Sequence, residues 1–290
     1  MIADLHCHTK LSDGSLGIEE LIALAYGLGI KTLSITDHDT MAGTIRARNI
    51  AGRFNVNFIS GVEISCTDTK RAASAHILGY CYDRPERLEK ICHENTVKRR
   101  KAGQIMCIRA VEKFKIPAAL IKKCGEGSTN LYKQHIMAAL INCGYTSEMF
   151  GDMYHRLFVD TSDPDYIGVR VPYADPAEAI EAIHDAGGIA ILAHPGEFDN
   201  FDLFDELIEA GIDGAEVWCP KNTEEQQELL LKKIKASKLI AVGGTDFHGS
   251  NTAHPIVPGT FGMDQEAVDE MTAYRMRLKR RQKKDSKQNQ

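Results

Sequence analysis

The sequence predicts an α/β protein, barrel-like or built on an open parallel sheet, divided by a run of helices. Three observations predict it. Short β-branched runs alternate with helical patterns over residues 1–83 and again over 171–276. Between them, over 84–170, helical patterns follow one another with no strand signal. The 290 residues are 43% hydrophobic and 26% charged, the balance of a chain that buries a core. That balance excludes a mainly disordered, collagenous or membrane-spanning protein. The length suits two units, or one large barrel carrying an insertion.

Taken in order, Ile2–His6 reads as a strand, and Ile18–Leu28 as an amphipathic helix after the turn Ser12-Asp13-Gly14. Lys31–Ile35 is the next strand, Met41–Arg53 a helix, Val56–Ile64 a third strand and Ala75–Tyr82 a fourth. The texture changes after Pro85. Arg84–Phe114 is one long charged helix, followed by helices over Pro117–Cys124, Leu131–Asn142 and Ser147–Leu157. Asp163-Pro164-Asp165 and Val171-Pro172 mark a return loop. Alternation then resumes with helix Pro176–Ala186, strand Ile189–Ala193, helix Leu203–Ala210 and strand Gly214–Trp218. Helix Thr223–Ala236, strand Leu239–Gly243 and a closing helix Gln265–Met276 complete the body.

No stretch approaches the roughly 18 apolar residues of a bilayer crossing. The opening Met1-Ile2-Ala3-Asp4-Leu5-His6 lacks the basic and apolar blocks of a signal peptide, so the expected location is the cytoplasm. Eight cysteines without a C-x-x-C pair read as reduced thiols rather than a disulfide framework or a cysteine zinc site. From Arg275 to Gln290 eight Lys/Arg face one Asp, a charge of +7, so the rest of the chain carries −12 within the total of −5. An acidic body disfavours broad binding of nucleic acid, although a metal cluster would invert the local field for an anionic substrate. The tail 277–290 is expected to be mobile or a frayed extension of the last helix. A steering arm for RNA and a clamp on the body are the competing readings.

The chemistry gathers at the strands. The first ends in His6-Cys7-His8 with Asp13 beyond, and the second in Thr36-Asp37-His38-Asp39. The third ends in Gly61-Val62-Glu63, and the fourth carries His76. Later strands deliver Ala193-His194-Pro195 and Gly244-Thr245-Asp246-Phe247-His248. Side chains at i and i+2 of a strand share a face, so His6 and His8 can bind one ion while Cys7 points away, and Asp246 and His248 repeat the pattern. In parallel α/β barrels the carboxyl ends of the strands meet on one rim, where the active site lies. Imidazoles with carboxylates suit zinc, manganese or iron(II), whereas magnesium prefers an all-oxygen shell.

These segments, with His76-Ile77-Leu78-Gly79-Tyr80, resemble the motif series of the PHP family, the polymerase and histidinol phosphatase domain, from residue 1 to about 250. The helical insertion resembles the branch of nucleotide phosphatases and exoribonucleases that act on 3′,5′-bisphosphates or small RNA ends. The resemblance implies a distorted (β/α)7 barrel with two or three divalent ions (Mn, Zn or Fe). By position, one ion would take His6, His8, Glu63 and Asp246; a second would share Glu63 and add His76 and His194; a third would take Asp13, His38 and His248. Water activated between the first two would attack phosphorus. The proton donor to the leaving oxygen is either another water or His248. Asp37 reads as a group orienting a ligand imidazole, or as a cap on the following turn; Asp39 reads as an imidazole-orienting group.

The insertion, 84–170, is expected to form a lid. Relatives of that branch carry an Arg-Pro-His-Ile-like motif there and a Lys-…-Tyr-Val-Pro motif on the return loop. Here the segments read Lys133-Gln134-His135-Ile136 and Gly168-Val169-Arg170-Val171-Pro172, which makes Lys133, His135 and Arg170 the candidate substrate contacts. Lys98-Arg99-Arg100-Lys101 reads as a solvated helix face. The expected activity is metal-dependent hydrolysis of phosphomonoesters of small metabolites, foremost AMP-like or 3′,5′-bisphosphate nucleotides. The alternatives are a histidinol phosphate phosphatase, a 5′-3′ exonuclease on short RNA, and a non-catalytic regulatory metal-binding module.

Overall fold

The structure, a computed structural model, describes residues 2–288, with side chains as far as residue 280. Seven strands lie in chain order in one sheet: β1 (Ala3–Asp4), β2 (Thr32–Ile35), β3 (Asn57–Asp68), β4 (Ala73–Tyr80), β5 (Ile189–Leu192), β6 (Gly214–Trp218) and β7 (Ile240–Gly243). The chain leaving β7 returns to the edge of β1. Leu5 N–H donates to Gly243 O at 3.3 Å and His8 N–H to Phe247 O at 2.8 Å, which closes the sheet into a distorted barrel. Closure needs a bare backbone, because a Cβ on Gly244 would lie 2.4 Å from that of His6.

An all-parallel reading of the body fails at one strand. β4 runs antiparallel to both β3 and β5. The connection at 69–72 is far shorter than the dozen or so residues a parallel crossover needs. The reversal has a use. The N-terminal half of an antiparallel strand reaches the rim where its parallel neighbours end, and His76 sits there, opposite Ser65.

Ten α-helices occur among the described residues: α1 (Ile18–Gly27), α2 (Thr44–Arg53), α3 (Glu89–Phe114), α4 (Ala118–Cys124), α5 (Lys133–Asn142), α6 (Asp152–Phe158), α7 (Pro176–Asp185), α8 (Phe201–Glu209), α9 (Glu224–Ser237) and α10 (Gln265–Gln288). Ile18, Leu21 and Ile22 of α1 pack with Ala47 and Ile50 of α2 over Leu33 and Ile35. Leu5, Leu78, Tyr80, Ile191 and Val242 form a second cluster with Val268 and Met271 of α10. The insertion has a core of its own, built from Met106, Ala110, Ile121, Ile136, Leu140, Leu157, Phe158 and Ile167. α3, about 39 Å long at 1.5 Å per residue, joins the two. Its Ile91 and Cys92 pack in the barrel cluster, while Met106 and Ala110 belong to the insertion.

Three helix ends differ from expectation by five residues or more. α3 starts at Glu89 rather than Arg84, after a separate 3-10 turn at Pro85–Arg87. α6 starts at Asp152 rather than Ser147, with Gly151 in extended conformation as its N-cap residue. α10 continues to Gln288 rather than ending at Met276, a run rich in helix-favouring Lys and Arg. Its Arg275 and Lys279 pair with Asp83. The side chains of 281–288 and all of 289–290, on which the mobile-tail and steering-arm readings rest, lie outside the described residues. No helix among the described residues is long and apolar enough to cross a membrane.

Candidate metal centre

Strand ends set the donors of the barrel rim within a few ångströms of one another. His6 Nε2 and His8 Nε2 lie 3.1 Å apart, each 3.2–3.4 Å from Glu63 Oε2 and 3.3–3.4 Å from Asp246 Oδ1. Glu63 Oε1 lies 2.7 Å from His76 Nδ1 and 3.0 Å from His194 Nε2, which are 3.3 Å from each other. Asp13 stands 3.3 Å from His248 Nε2 and 3.8 Å from His38 Nε2. His8 Nδ1 turns toward this last group, 3.7 Å from Asp13, so the His8 ring stands between two donor sets. His38 Nδ1 lies 3.0 Å from Glu63 and ties the same set to the centre.

The donors fit divalent ions. Ligands about 2.1 Å from a tetrahedral ion sit about 3.4 Å apart, close to the 3.2–3.4 Å that separate the His6 and His8 nitrogens from Glu63 and Asp246. Glu63 Oε2, Asp13 Oδ1 and His38 Nδ1 are buried without a hydrogen-bond partner among the described residues, which suits atoms that would coordinate a cation. The electrostatics agree. Burial raises the Glu63 pKa, but His38, His76 and His6 outweigh it and hold the carboxyl well below its usual range. Burial opposes a charge on His6, yet Glu216, Glu63 and Asp246 lift its pKa well above normal. His194 is raised to about 9 and His248 to about 10, carboxylates again outweighing burial. Without ions, the carboxylates hold protons on His6, His8, His194 and His248 instead. His38 is lowered chiefly by burial.

Groups behind the donors fix their orientation. His248 Nδ1 donates to the Asp246 carbonyl at 2.8 Å, which aims Nε2 at Asp13 and leaves the ring no free nitrogen for a leaving group. Asp37 touches no imidazole. Its carboxylate accepts from Thr9 N–H, Thr9 Oγ1 and Ser12 Oγ, and Ser12 Oγ in turn stands 3.4 Å from His8 Nδ1. It thus holds the Thr9–Ser12 loop and reaches the His8 imidazole through a serine rather than directly. Asp39, Asp246 and His194 sit in the left-handed backbone region, strain that active sites commonly retain.

Sequence reasoning missed Glu216, Asp4 and Glu197. Glu216 Oε1 lies 3.0 Å from His6 Nδ1. Asp4 accepts from His6 N–H, Thr245 and Gly259 N–H, tying β1 to the segment after β7. Glu197 Oε2 stands 3.2 Å from His194 Nδ1. A lone carboxylate inside an otherwise apolar strand, as in Gly214-Ala215-Glu216-Val217-Trp218, was the available signal for the first.

The insertion behaves otherwise. Arg170 is exposed and donates to the Ala72 carbonyl on the β3–β4 turn, so the guanidinium expected to grip phosphate is held by backbone. His135 Nδ1 accepts Tyr132 N–H at 3.1 Å and caps α5, which explains its burial without a substrate. The basic run on α3 is not uniformly solvated. Arg99 donates to Asp39 Oδ2 at 2.8 Å and Ser65 Oγ at 2.5 Å, and packs between Tyr132 and Tyr173, 4.8 Å from each ring centroid. Lys133 is half-buried over Tyr154 and Phe158 and has no ion-pair partner among the described residues; burial, then Arg99, lowers its pKa. Gln134 Nε2 donates to Asp13 Oδ2 at 3.0 Å, and Asn95 binds Asp39 and Ser65, so the insertion reaches the rim.

Comparison with known proteins places this geometry. The phosphoribosyl 1,2-cyclic phosphate 1,2-diphosphodiesterase of Eggerthella lenta is 34% identical over 252 residues, covering 86% of this chain and 95% of that protein. The 5′-3′ exoribonuclease of Haemophilus influenzae is 31% identical over 258 residues, 84% of this chain and 89% of the relative. A solved structure from Bifidobacterium adolescentis, assigned as a metal-dependent phosphoesterase, superposes with a TM-score of 0.83 at 28% identity, covering 94% of this chain and 96% of that one. The PHP domain model matches residues 4–134. With a seven-stranded barrel whose rim gathers the motif residues, and relatives matched along nearly their whole length, the chain belongs to the PHP family.

Proposed function

We propose that this chain is a metal-dependent phosphoesterase that hydrolyses a phosphomonoester of a small nucleotide. One observation carries the reading: buried carboxylate and imidazole atoms of Glu63, Asp13 and His38 converge at the rim with no hydrogen-bond partner among the described residues. His6, His8, Glu63 and Asp246 would hold one ion, Glu63 with His76 and His194 a second, and Asp13, His38 and His248 a third. Bound there, divalent ions supply an activated water at neutral pH and neutralise charge on the phosphoryl oxygens. Manganese, zinc and iron(II) all suit the nitrogen and oxygen donors. The residues of the chain do the rest. Asp37, through Thr9 and Ser12, steadies the loop that carries His8 and Asp13. Segment 84–170 acts as a lid, and Lys133, a cation without a carboxylate, meets the phosphate. Arg99 braces it.

A second reading is a cyclic phosphodiester substrate, favoured by the Eggerthella relative. The exonuclease reading sits less well with a body carrying −12 outside its tail. The test is a phosphate-release and product screen with manganese over mononucleotides, 3′,5′-bisphosphates, ribosyl cyclic phosphates, dinucleotides and histidinol phosphate. Release from mononucleotides or bisphosphates is expected. Ring opening of the cyclic phosphate alone would install the second reading, and no turnover of any compound by metal-loaded protein would end both.

A further inference from the structure

We propose that Glu216 is a positioning residue of the metal centre: one carboxylate oxygen fixes the His6 ring and the other fixes the His194 backbone, so a single side chain sets donors that belong to two different ions. The proposal rests on the reading that the rim binds metal. Glu216 lies on β6, fully buried. Its Oε1 is 3.0 Å from His6 Nδ1, and its Oε2 accepts His194 N–H at 2.9 Å. No lysine or arginine pairs with it among the described residues. A buried carboxylate without such a partner is costly, and here its two oxygens face two donors that both lead to the rim.

The consequences are specific. An Nδ1–H held by Glu216 leaves the lone pair on His6 Nε2, the nitrogen that stands 3.4 Å from both Glu63 and Asp246. The bond to His194 N–H holds that residue at a φ of 22°, a conformation a non-glycine residue rarely keeps, and so aims its ring toward Glu63 and His76. The donors Asp13, His38 and His248 make no contact with Glu216. An amide cannot replace the carboxylate, because glutamine offers one acceptor where two N–H groups need one each.

Calorimetric titration of the metal-free full chain with Mn²⁺ alone tests this on wild type, Glu216→Gln and Glu216→Ala. The first two ions should bind about 10- to 100-fold more weakly in the alanine variant. The glutamine variant should be impaired as well, and the third ion should be unchanged in both. Wild-type affinities in the two folded variants would overturn the proposal while leaving metal binding intact. Equal weakening of every ion would reduce Glu216 to a general fold residue and overturn it too. Absence of Mn²⁺ uptake by wild type would sink this proposal together with the reading it rests on. Should the variants fail to fold, ¹⁵N-resolved imidazole spectra of Zn²⁺-loaded wild type decide, with His6→Gln as assignment control. A proton on His6 Nδ1 is expected, and a bare Nδ1 would overturn the proposal.

Discussion

At the barrel rim, carboxylates face imidazoles: Asp13, Glu63 and Asp246 are surrounded by His6, His8, His38, His76, His194 and His248. In the insertion, cations face rings: Arg99 lies between Tyr132 and Tyr173, and Lys133 over Tyr154 and Phe158. The difference decides what each region can accept. Carboxylates compensated only by titratable imidazoles exchange protons for metal. A lysine over π-faces offers its ammonium to an anion without a carboxylate competing for it. One region is built to take cations; in the other, Arg99 is spent on Asp39, and Lys133 presents positive charge with no carboxylate paired to it among the described residues.

The comparison breaks most sharply at Glu63, which contacts five of the six rim imidazoles. Glu63→Gln should lose at least one ion and lower kcat/KM by roughly a thousandfold or more, about 4 kcal/mol. Elemental analysis beside turnover checks this, and three ions in the variant would contradict it.

A pH series sharpens the cation side. In the metal-free protein His194 rises to about 9 and His248 to about 10. For His194, burial is outweighed by Glu197 and Glu63; for His248, by Asp13 and Asp246. Both values exceed the unfolded value of about 6.5. Their contribution to metal-free stability is therefore whole below that pH and lost as pH rises through the folded values. Ions need neutral imidazoles and bind better over the same span. The difference in Tm between loaded and metal-free protein should widen from about pH 6.5 to about pH 9; a flat difference would show that the imidazoles do not exchange protons for metal.

The insertion yields a paired test. Arg99→Ala leaves the buried Asp39 carboxylate without its guanidinium and should cost about 3 kcal/mol in denaturant unfolding, with a raised KM. Arg170→Ala removes one contact to an exposed carbonyl and should stay within about 0.5 kcal/mol and about twofold of wild-type kinetics. Reversal of that order would mean that Arg170 on the return loop, and not the Arg99–Asp39 pair, supports substrate binding. Smallest of all, deletion of 281–290 should leave Tm and small-substrate turnover unchanged.

Much of the rim was legible because strand periodicity is local. His6 and His8 converge as the i, i+2 rule expects, whereas Asp246 and His248 lie past β7, with Asp246 in the left-handed region, and join different donor sets at the same rim. What pairs across the barrel was not. Glu216 meets His6 from 210 positions away, and no spacing in a single sequence encodes that contact. The orientation of β4 was hidden for another reason, since hydrophobic pattern is blind to strand direction and only the short 69–72 link reveals it. In the insertion, residue type misled. Arg170 looked like a phosphate contact and Arg99 like a solvated charge, whereas burial on α3 against Asp39 reverses the two.

Cys7, the residue between the two leading histidines, is fully buried. Burial, then the Asp4 carboxylate, pushes its thiol well above the usual range. A thiol turned away and kept protonated leaves the centre with nitrogen and oxygen donors alone. Soft ions that depend on thiolate gain nothing there, so borderline and hard ions compete on availability rather than on sulfur affinity. The same arrangement spares the centre a failure common to thiolate sites: peroxide finds no coordinating sulfur to oxidise, and damage under oxidative stress falls on the bound ion instead of its ligands.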